Sequence, residues 1–467
     1  MSIETTIAIT DDAPAPARVD RLSYTIGALG GGIRGYELGV VAGALLFAAP
    51  ALHMGPALTG WVVSAALLGS LFGALGAGPA ADRIGRRRII AVAAFIFSLG
   101  IVGAALSPDV AMLIASRLVL GVAVGIATAI IPVYISEIAP AQERGAHTGL
   151  FQIMIMIGVL ASSIVALALA PYGAWRWMFG LGLLPALAML VGTRWLPESP
   201  RWLVKRGRDE EARRVLARLR SGDVEPELEQ IRAINRRETG KATLAAMIAV
   251  PATRRLLLVG CGLGAFQQLI GINAVTYYAP SVLKGVGFTD WTAVAANLAI
   301  SAVGLATTIL MALVVVDRFG RRKPLMWGAL GMAASMALLG AVFLSGTVTG
   351  AASYVALLGL IGFQICFALS WGGIVWIVLG EMFPLRLRGT AMGVAVFATE
   401  ITSVVVGAVF PVLLQQGPAA MFFGFAVMGV LAFLWAAFLL PETGRRTLED
   451  IEADMLDASA RPCPPTI

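Results

Sequence analysis

Charged side chains are scarce in this chain. Asp, Glu, Lys and Arg make up 13% of its 467 residues, about half the ~25% usual in a soluble domain. With 58% of the residues hydrophobic, the shortage excludes a water-soluble protein of this size, whose cores could not bury so much apolar surface. Cysteine is nearly missing. Cys261, Cys366 and Cys463 have no disulfide or metal-site spacing and read as packing residues or free thiols. Histidine occurs twice, at His53 and His147, near span or loop ends, where both read as structural or solvated. No Cys–His or Ser–His set, metal cluster or phosphate-binding loop is present, so neither an enzyme nor a metal or other cofactor is expected. The apolar stretches also lack the strict alternation of a membrane β-barrel.

What is present is a series of apolar blocks about 20 residues long, the length that crosses a bilayer core as α-helix. Spans are expected at 21–48, 57–80, 88–107, 110–134, 146–170, 175–196, 253–283, 291–316, 323–345, 351–382, 387–414 and 419–440. One long polar stretch separates spans six and seven. Its mixed charges, among them Asp209, Glu210, Glu211, Arg213, Arg214, Arg218 and Arg232, recur at helical spacing and predict short surface helices. The fold class is therefore an all-α integral membrane protein, with twelve transmembrane helices and a cytoplasmic helical linker. The expected division is a disordered arm at 1–20, a six-helix bundle at 21–199, linker helices at 200–250, a second bundle at 251–440 and a tail at 441–467. The arm has neither the basic start nor the short apolar core of a signal peptide.

The net charge of +7 does not point to nucleic acid, because the basic residues sit in short loops between spans. Arg83, Arg86, Arg87 and Arg88 follow span two, Arg144 follows span four, Arg318, Arg321, Arg322 and Lys323 follow span eight, and Arg386 and Arg388 follow span ten. The loops near 49–56, 107–109, 345–350 and 415–418 contain no Lys or Arg. The positive-inside rule then places both termini, the linker and every basic loop on the cytoplasmic side of a cell membrane.

The chain repeats itself. Asp82-Arg83-Ile84-Gly85-Arg86-Arg87 recurs as Asp317-Arg318-Phe319-Gly320-Arg321-Arg322, Glu137 with Arg144 recurs as Glu381 with Arg388, and Pro197-Glu198 recurs as Pro441-Glu442. Two halves with the same loop chemistry predict two pseudo-symmetric six-helix bundles with a substrate site between them near the membrane midplane. Acids at matching positions exceed what topology needs. Asp82, Arg86, Arg87, Glu137, Arg144 and Glu198, with Asp317, Arg321, Arg322, Glu381, Arg388 and Glu442, are expected to form salt bridges that close and part as a cytoplasmic gate.

From about residue 25 to 450 the motifs resemble the sugar porter family of the major facilitator superfamily. They are Gly31-Gly32 with Gly35-Tyr36, the two Asp-Arg-x-Gly-Arg-Arg loops, and Pro197-Glu198-Ser199-Pro200-Arg201-Trp202. Further along are Gln267-Gln268 with Gly271, Asn273, Tyr277 and Tyr278, then Ser370-Trp371-Gly372 with Trp376, and Pro441-Glu442-Thr443. The resemblance implies the two-bundle fold and carriage of a monosaccharide or polyol, downhill or with a proton.

Neutral amides suit such a substrate, since each pairs with adjacent hydroxyls as donor and acceptor. Gln267, Gln268 and Asn273 crowd two turns of span seven, with Tyr277 one turn further on, beyond what helix packing needs. The resemblance adds Gln152 as the family's sugar amide, Trp376 as its sugar-facing indole, Thr399 in the cavity and Tyr277-Tyr278 at the outer gate. Ionisable groups at membrane depth are costly and functional by default. Glu37 stands where proton-coupled members carry Asp, and Arg117 at the family's partner arginine. The pair is expected to load and release a proton, a static bridge being the alternative.

Four positions depart from the pattern. Arg34 replaces a cavity-side Phe, Thr399-Glu400 stands where Asn-Trp or Gln-Trp is common, Leu305 holds a usual Asn position and Gly373 replaces a proline. Arg34 and Glu400 are thus candidate extra cavity charges. Arg34 is expected to pair with a carboxylate, Glu37 or Glu400, the alternatives being that it awaits an anionic substrate or takes a lipid-side or interfacial position. The sequence reads as a monomeric secondary active importer of a monosaccharide or polyol by proton symport, working by alternating access. A facilitative uniporter and a carrier of a charged sugar derivative stay open. A nutrient sensor would carry a longer tail, and nucleic acid is not a partner.

Overall fold

A computed structural model describes residues 18–139, 144–220, 222–237, 251–346, 350–383 and 388–440, with residues 248 and 442 singly. Side chains at 18–27, 144–149, 234–237, 251–252, 316–317 and 388–389 are not among those described. The expected arm before residue 18, the tail beyond Glu442 and the side chains of Arg144, His147, Asp317 and Arg388 therefore lie outside the described residues.

Twelve helices are long and apolar enough to cross a membrane: Ala28–Ala51, Pro56–Ile84, Arg86–Ala105, Val110–Ile138, Leu150–Tyr172, Trp175–Gly192, Thr253–Gly285, Asp290–Val315, Arg322–Leu344, Ala351–Met382, Thr390–Gln416 and Pro418–Phe438. They are referred to as spans one to twelve. Helix is what such sequences must adopt there, because only it satisfies every backbone group within its own segment. The ends carry ordinary start signals. Asp109 caps span four by accepting from Met112 N at 2.8 Å, and Thr289 caps span eight by accepting from Thr292 N at 3.3 Å. Among the described residues there is no strand.

Three spans are not single rods. Span six bends between Gly180 and Leu183, span seven breaks at Gly271 and span ten unwinds between Leu369 and Ile374. Gly271 has φ +104°, a left-handed conformation that L side chains avoid. The break aims the two halves of span seven separately, with Gln267 and Gln268 before it and Asn273 to Tyr278 after it.

Within the first half, span two packs on span four, span one on span five and span three on span four. In the second half, span nine packs on spans ten and twelve, and span seven on span eleven. Small residues let these helices approach closely, as membrane packing favours. At Gly35 a Cβ would collide with the Ile155 backbone of span five, so no larger residue fits this crossing.

The halves meet through span two with span eleven, span five with span eight and span one with the second part of span seven. Ser64 Oγ donates to Val404 O at 3.0 Å, and Ser163 and Ser301 share a hydroxyl contact of 2.9 Å. Ser64 and Ser163 lie toward the ends of their spans away from the arginine-rich loops, and Val404 and Ser301 lie at mid-span.

The polar stretch after span six forms helices at Pro200–Lys205, Asp209–Leu219 and Glu225–Arg237. They enclose a small core of Trp202, Leu203, Ala212, Leu216 and Leu228 and carry ion pairs on their surface, such as Arg232–Asp209 at 3.0 Å and Arg213–Glu225 at 2.8 Å. Arg208 donates to Glu211 and holds its carboxyl below the usual glutamate range.

Candidate functional site

The two basic loops are built alike. Glu198 Oε1 accepts from the backbone nitrogens of Arg86 at 2.8 Å, Arg87 at 3.2 Å and Ser199 at 2.9 Å. In the second half Glu442 accepts from Arg321 N at 3.0 Å and Arg322 N at 3.2 Å. A carboxylate thus sits on the N-terminus of spans three and nine, where the helix leaves backbone N–H groups open and its dipole favours negative charge. Arg86 bridges Asp82 at 3.0 Å and Glu137 at 3.1 Å; Arg321 bridges Glu381 at 2.9 Å. Arg87 donates to Thr193 O at 2.8 Å, and Arg322 to Ala436 O at 3.2 Å. The linker joins the first cluster, through Lys205–Asp82 at 2.9 Å and the Trp202 indole to Asp82 O at 2.9 Å. Each of these contacts stays within one half and none crosses between them.

Mid-span, the charges converge. Arg117 Nη2 of span four lies 2.7 Å from Glu37 Oε1 of span one, with the two side chains 0% and 5% exposed. The atoms are close but not aligned as a hydrogen bond. Arg117 Nη1 has no partner among the described residues, and its Nε donates only to Val62 O at 3.3 Å. Such a pair is incompletely satisfied, the condition in which a buried ion pair contributes least.

Arg34 is half-buried and its Nη1 donates to the Thr128 hydroxyl of span four. The expected bond to a carboxylate is not made: among the described residues no acid lies within 4.0 Å of it. Glu37 is engaged by Arg117, and Glu400 stands on the other half, so the nearby hydroxyl takes the donor. Glu400, half-buried on span eleven, makes no hydrogen bond or ion pair among the described residues. Tyr277 is buried in the second part of span seven, which packs on span one.

The amides of span seven stand on both sides of its break. Gln267 Nε2 donates to Trp371 O at 2.7 Å, in the unwound part of span ten, and Gln268 donates to Gln267 Oε1 at 3.3 Å. Asn273 Nδ2 donates to Ser403 Oγ at 2.8 Å, one turn beyond Glu400. Thr399 turns its hydroxyl onto Ala395 O at 2.9 Å, and Tyr278 donates to Gly407 O at 3.1 Å. Trp376 and Gln152 are half-buried. Residues not anticipated from sequence are Thr128, Ser403 and the Ser163–Ser301 pair. Their only signal was a small hydroxyl inside an apolar span, which also occurs for plain packing. A separate cavity of about 510 Å³, lined by Leu269, Leu413, Ala420, Met421, Phe425 and Met428 among others, is apolar and lies apart from the charges.

The family model for sugar (and other) transporters matches residues 24–455. The glucose transporter GlcP of Staphylococcus epidermidis is 37% identical over 436 residues, 93% of this chain and 97% of that protein. The galactose-proton symporter of Escherichia coli is 35% identical over 435 residues, 92% and 93% of the two chains. The partially occluded inward-open structure of the xylose transporter XylE from E. coli superposes with TM-score 0.79 at 29% identity, covering 92% of this chain and 99% of that one. The proton:xylose symporter XylE bound to 6-bromo-6-deoxy-D-glucose gives TM-score 0.75 at 30% identity, covering 94% and 100%. Matched over nearly its whole length, this multi-pass membrane protein is a transporter rather than an enzyme, and the chain belongs to the sugar (and other) transporter family.

Proposed function

We propose that the protein imports a neutral monosaccharide or polyol together with a proton, by alternating access of its two halves about a central site. The observation that carries this reading is the buried Glu37–Arg117 pair, 2.7 Å apart and incompletely hydrogen-bonded, beside a cluster of neutral amides. A proton on Glu37 ends the pair's attraction and frees Arg117, so protonation couples to the packing of span one against span four. Gln152, Gln267, Gln268 and Asn273 supply donors and acceptors for hydroxyls, Trp376 an indole face, and Tyr277 and Thr399 the wall.

The contacts between the halves, on the side away from the basic loops, support a state closed there and open toward those loops. In our reading the basic side is the cytoplasm, both termini lie there and the protein works as a monomer. The arginine–carboxylate clusters of the two loops, each joined within its own half by the contacts described, act as parts of two rigid bodies whose surfaces meet when the cytoplasmic side closes.

Counterflow of labelled sugars into proteoliposomes, with an imposed pH gradient, tests the proposal. Exchange of a neutral sugar and its uphill accumulation with the gradient are expected. Binding without exchange, or exchange that never exceeds equilibrium, would refute transport or coupling respectively.

A further inference from the structure

An amide side chain has a donor end and an acceptor end, and what it offers a ligand depends on which end its neighbours hold. Around the break in span seven those neighbours include backbone carbonyls, which only accept. Asn273 Nδ2 lies 3.2 Å from Ser403 O and 2.8 Å from Ser403 Oγ. Turned the other way, the amide would set its oxygen against the Ser403 carbonyl, so the nitrogen end is the one that faces span eleven. Ser403 thus offers an acceptor to each of the two N–H groups. Asn273 Oδ1 accepts no hydrogen bond among the described residues, nor is it sealed in without a partner as Arg117 Nη1 is. Gln267 and Gln268 repeat the pattern before the break. Gln267 Nε2 lies 2.7 Å from Trp371 O, and Gln267 Oε1 takes Gln268 Nε2 at 3.3 Å. The chain ends on Gln268 Oε1, which accepts nothing among the described residues.

On both sides of the break, then, protein acceptors take the nitrogen ends and an amide oxygen is left over. Ser403 is itself buried and is followed by Val404, Val405 and Val406, a setting in which packing alone asks for no hydroxyl. We infer that Ser403 is a positioning residue that fixes Asn273 as a hydrogen-bond acceptor. A substrate then meets this amide only by donating a hydroxyl hydrogen, and a group that accepts but cannot donate is refused there. The inference rests on the transport reading above and deepens it, adding the polarity of one contact to the class of molecule carried.

Counterflow competition with monodeoxy and monodeoxyfluoro sugars reads this polarity. Replacing a hydroxyl by hydrogen removes donor and acceptor together. Replacing it by fluorine removes the donor and leaves a weak acceptor, which an amide oxygen repels. The probes are D-glucose, D-galactose and D-xylose with these derivatives at each ring position. In the wild type one position is expected at which deoxy and fluoro compounds both compete roughly 5- to 150-fold less well than the parent sugar, the fluoro compound no better than the deoxy. In Asn273→Ala the loss at that position disappears, which assigns it to this amide. In Ser403→Ala the amide keeps one tie instead of two and can turn an N–H toward the substrate, so the fluoro compound recovers relative to the deoxy at that position alone. Ser403→Thr keeps the hydroxyl and behaves as the wild type. A fluoro compound that outcompetes the deoxy at this position in the wild type overturns the inference. So does a Ser403→Ala variant that weakens every compound alike, as a merely structural serine would, and so does the lack of any position whose loss vanishes in Asn273→Ala. If Ser403→Ala is lost to misfolding, the wild-type ranking of fluoro against deoxy decides. If none of the three parent sugars exchanges, the transport reading falls and takes this one with it.

Discussion

Replacing Glu37 by Gln keeps the size of the side chain and removes its charge, so the variant mimics the protonated carrier permanently. In the structure the carboxylate is 2.7 Å from Arg117 and both groups are withdrawn from solvent. Without it the guanidinium keeps one acceptor, Val62 O at 3.3 Å. Breaking a buried pair from one side costs about 3–5 kcal/mol, so the variant should also unfold at a lower temperature in detergent. The functional effect is read separately, as an accumulation ratio. A membrane potential of ~100 mV does about 2.3 kcal/mol of work on each charge that crosses, and ~1.4 kcal/mol is a factor of ten. A carrier moving one proton per sugar therefore accumulates its substrate roughly 40- to 50-fold. Glu37→Gln should bring that ratio to about one, because nothing in its cycle binds the proton, while leaving sugar-for-sugar exchange in place. The assay is uptake of labelled substrate into proteoliposomes with and without an imposed potential, alongside counterflow at zero potential. Accumulation of more than about tenfold in the variant would show that the proton travels elsewhere. Loss of exchange along with accumulation would make the pair structural rather than coupling.

Gln267→Ala, Asn273→Ala and Trp376→Ala should each weaken substrate binding. Loss of a buried hydrogen-bond partner costs about 1–3 kcal/mol, or roughly 5- to 150-fold in affinity, and wild-type binding in all three would remove span seven from the site. Asn273 is held by Ser403, so Ser403→Ala should weaken binding in the same direction but less. Glu198→Ala and Glu442→Ala strip the carboxylate from the starts of spans three and nine; each should lower the midpoint of thermal unfolding in detergent, and an unchanged midpoint would refute the capping role. At Gly60 an added Cβ would lie 3.0 Å from the Ala408 carbonyl carbon of the other half. Gly60→Leu should therefore hold the halves apart on the side away from the basic loops, abolishing counterflow while substrate binding persists; normal counterflow would exclude that contact from the cycle.

The spans were legible because bilayer thickness sets the length of each apolar block, and the described helix ends fall within a few residues of the expected ones. The linker helices were legible from charges at helical spacing, which reappear as surface pairs such as Arg232–Asp209. The breaks were not. Gly271 lies inside a run that reads as continuous helix, and its positive φ follows from how span seven packs on its neighbours, which no local pattern records. The convergence of Glu37 with Arg117 was foreseeable because charge at that depth demands a partner. Arg34 shows the limit of the same reasoning: the demand was read, but a carboxylate was expected where the Thr128 hydroxyl stands. A Thr inside an apolar span returns its own hydroxyl to the helix backbone in most settings, as Thr128 also does with Val124 O at 2.8 Å, so sequence alone does not single it out.

The charged clusters of the two loops also bear on how the chain is made. Asp82, Arg86, Glu137 and Glu198 close on one another, and the linker returns to them through Trp202, Lys205 and Arg206, while Arg220 donates to Ile138 O at 2.9 Å. Every one of these partners precedes residue 238. Domains made on the ribosome fold from the N-terminal side as they emerge, so the polar groups of this face find their mates before the second half has been synthesised. In the second half Glu442, just past its last span, is the last of its cluster's described residues to be made, so the bonds it accepts from Arg321 N and Arg322 N form only after all twelve spans have been synthesised.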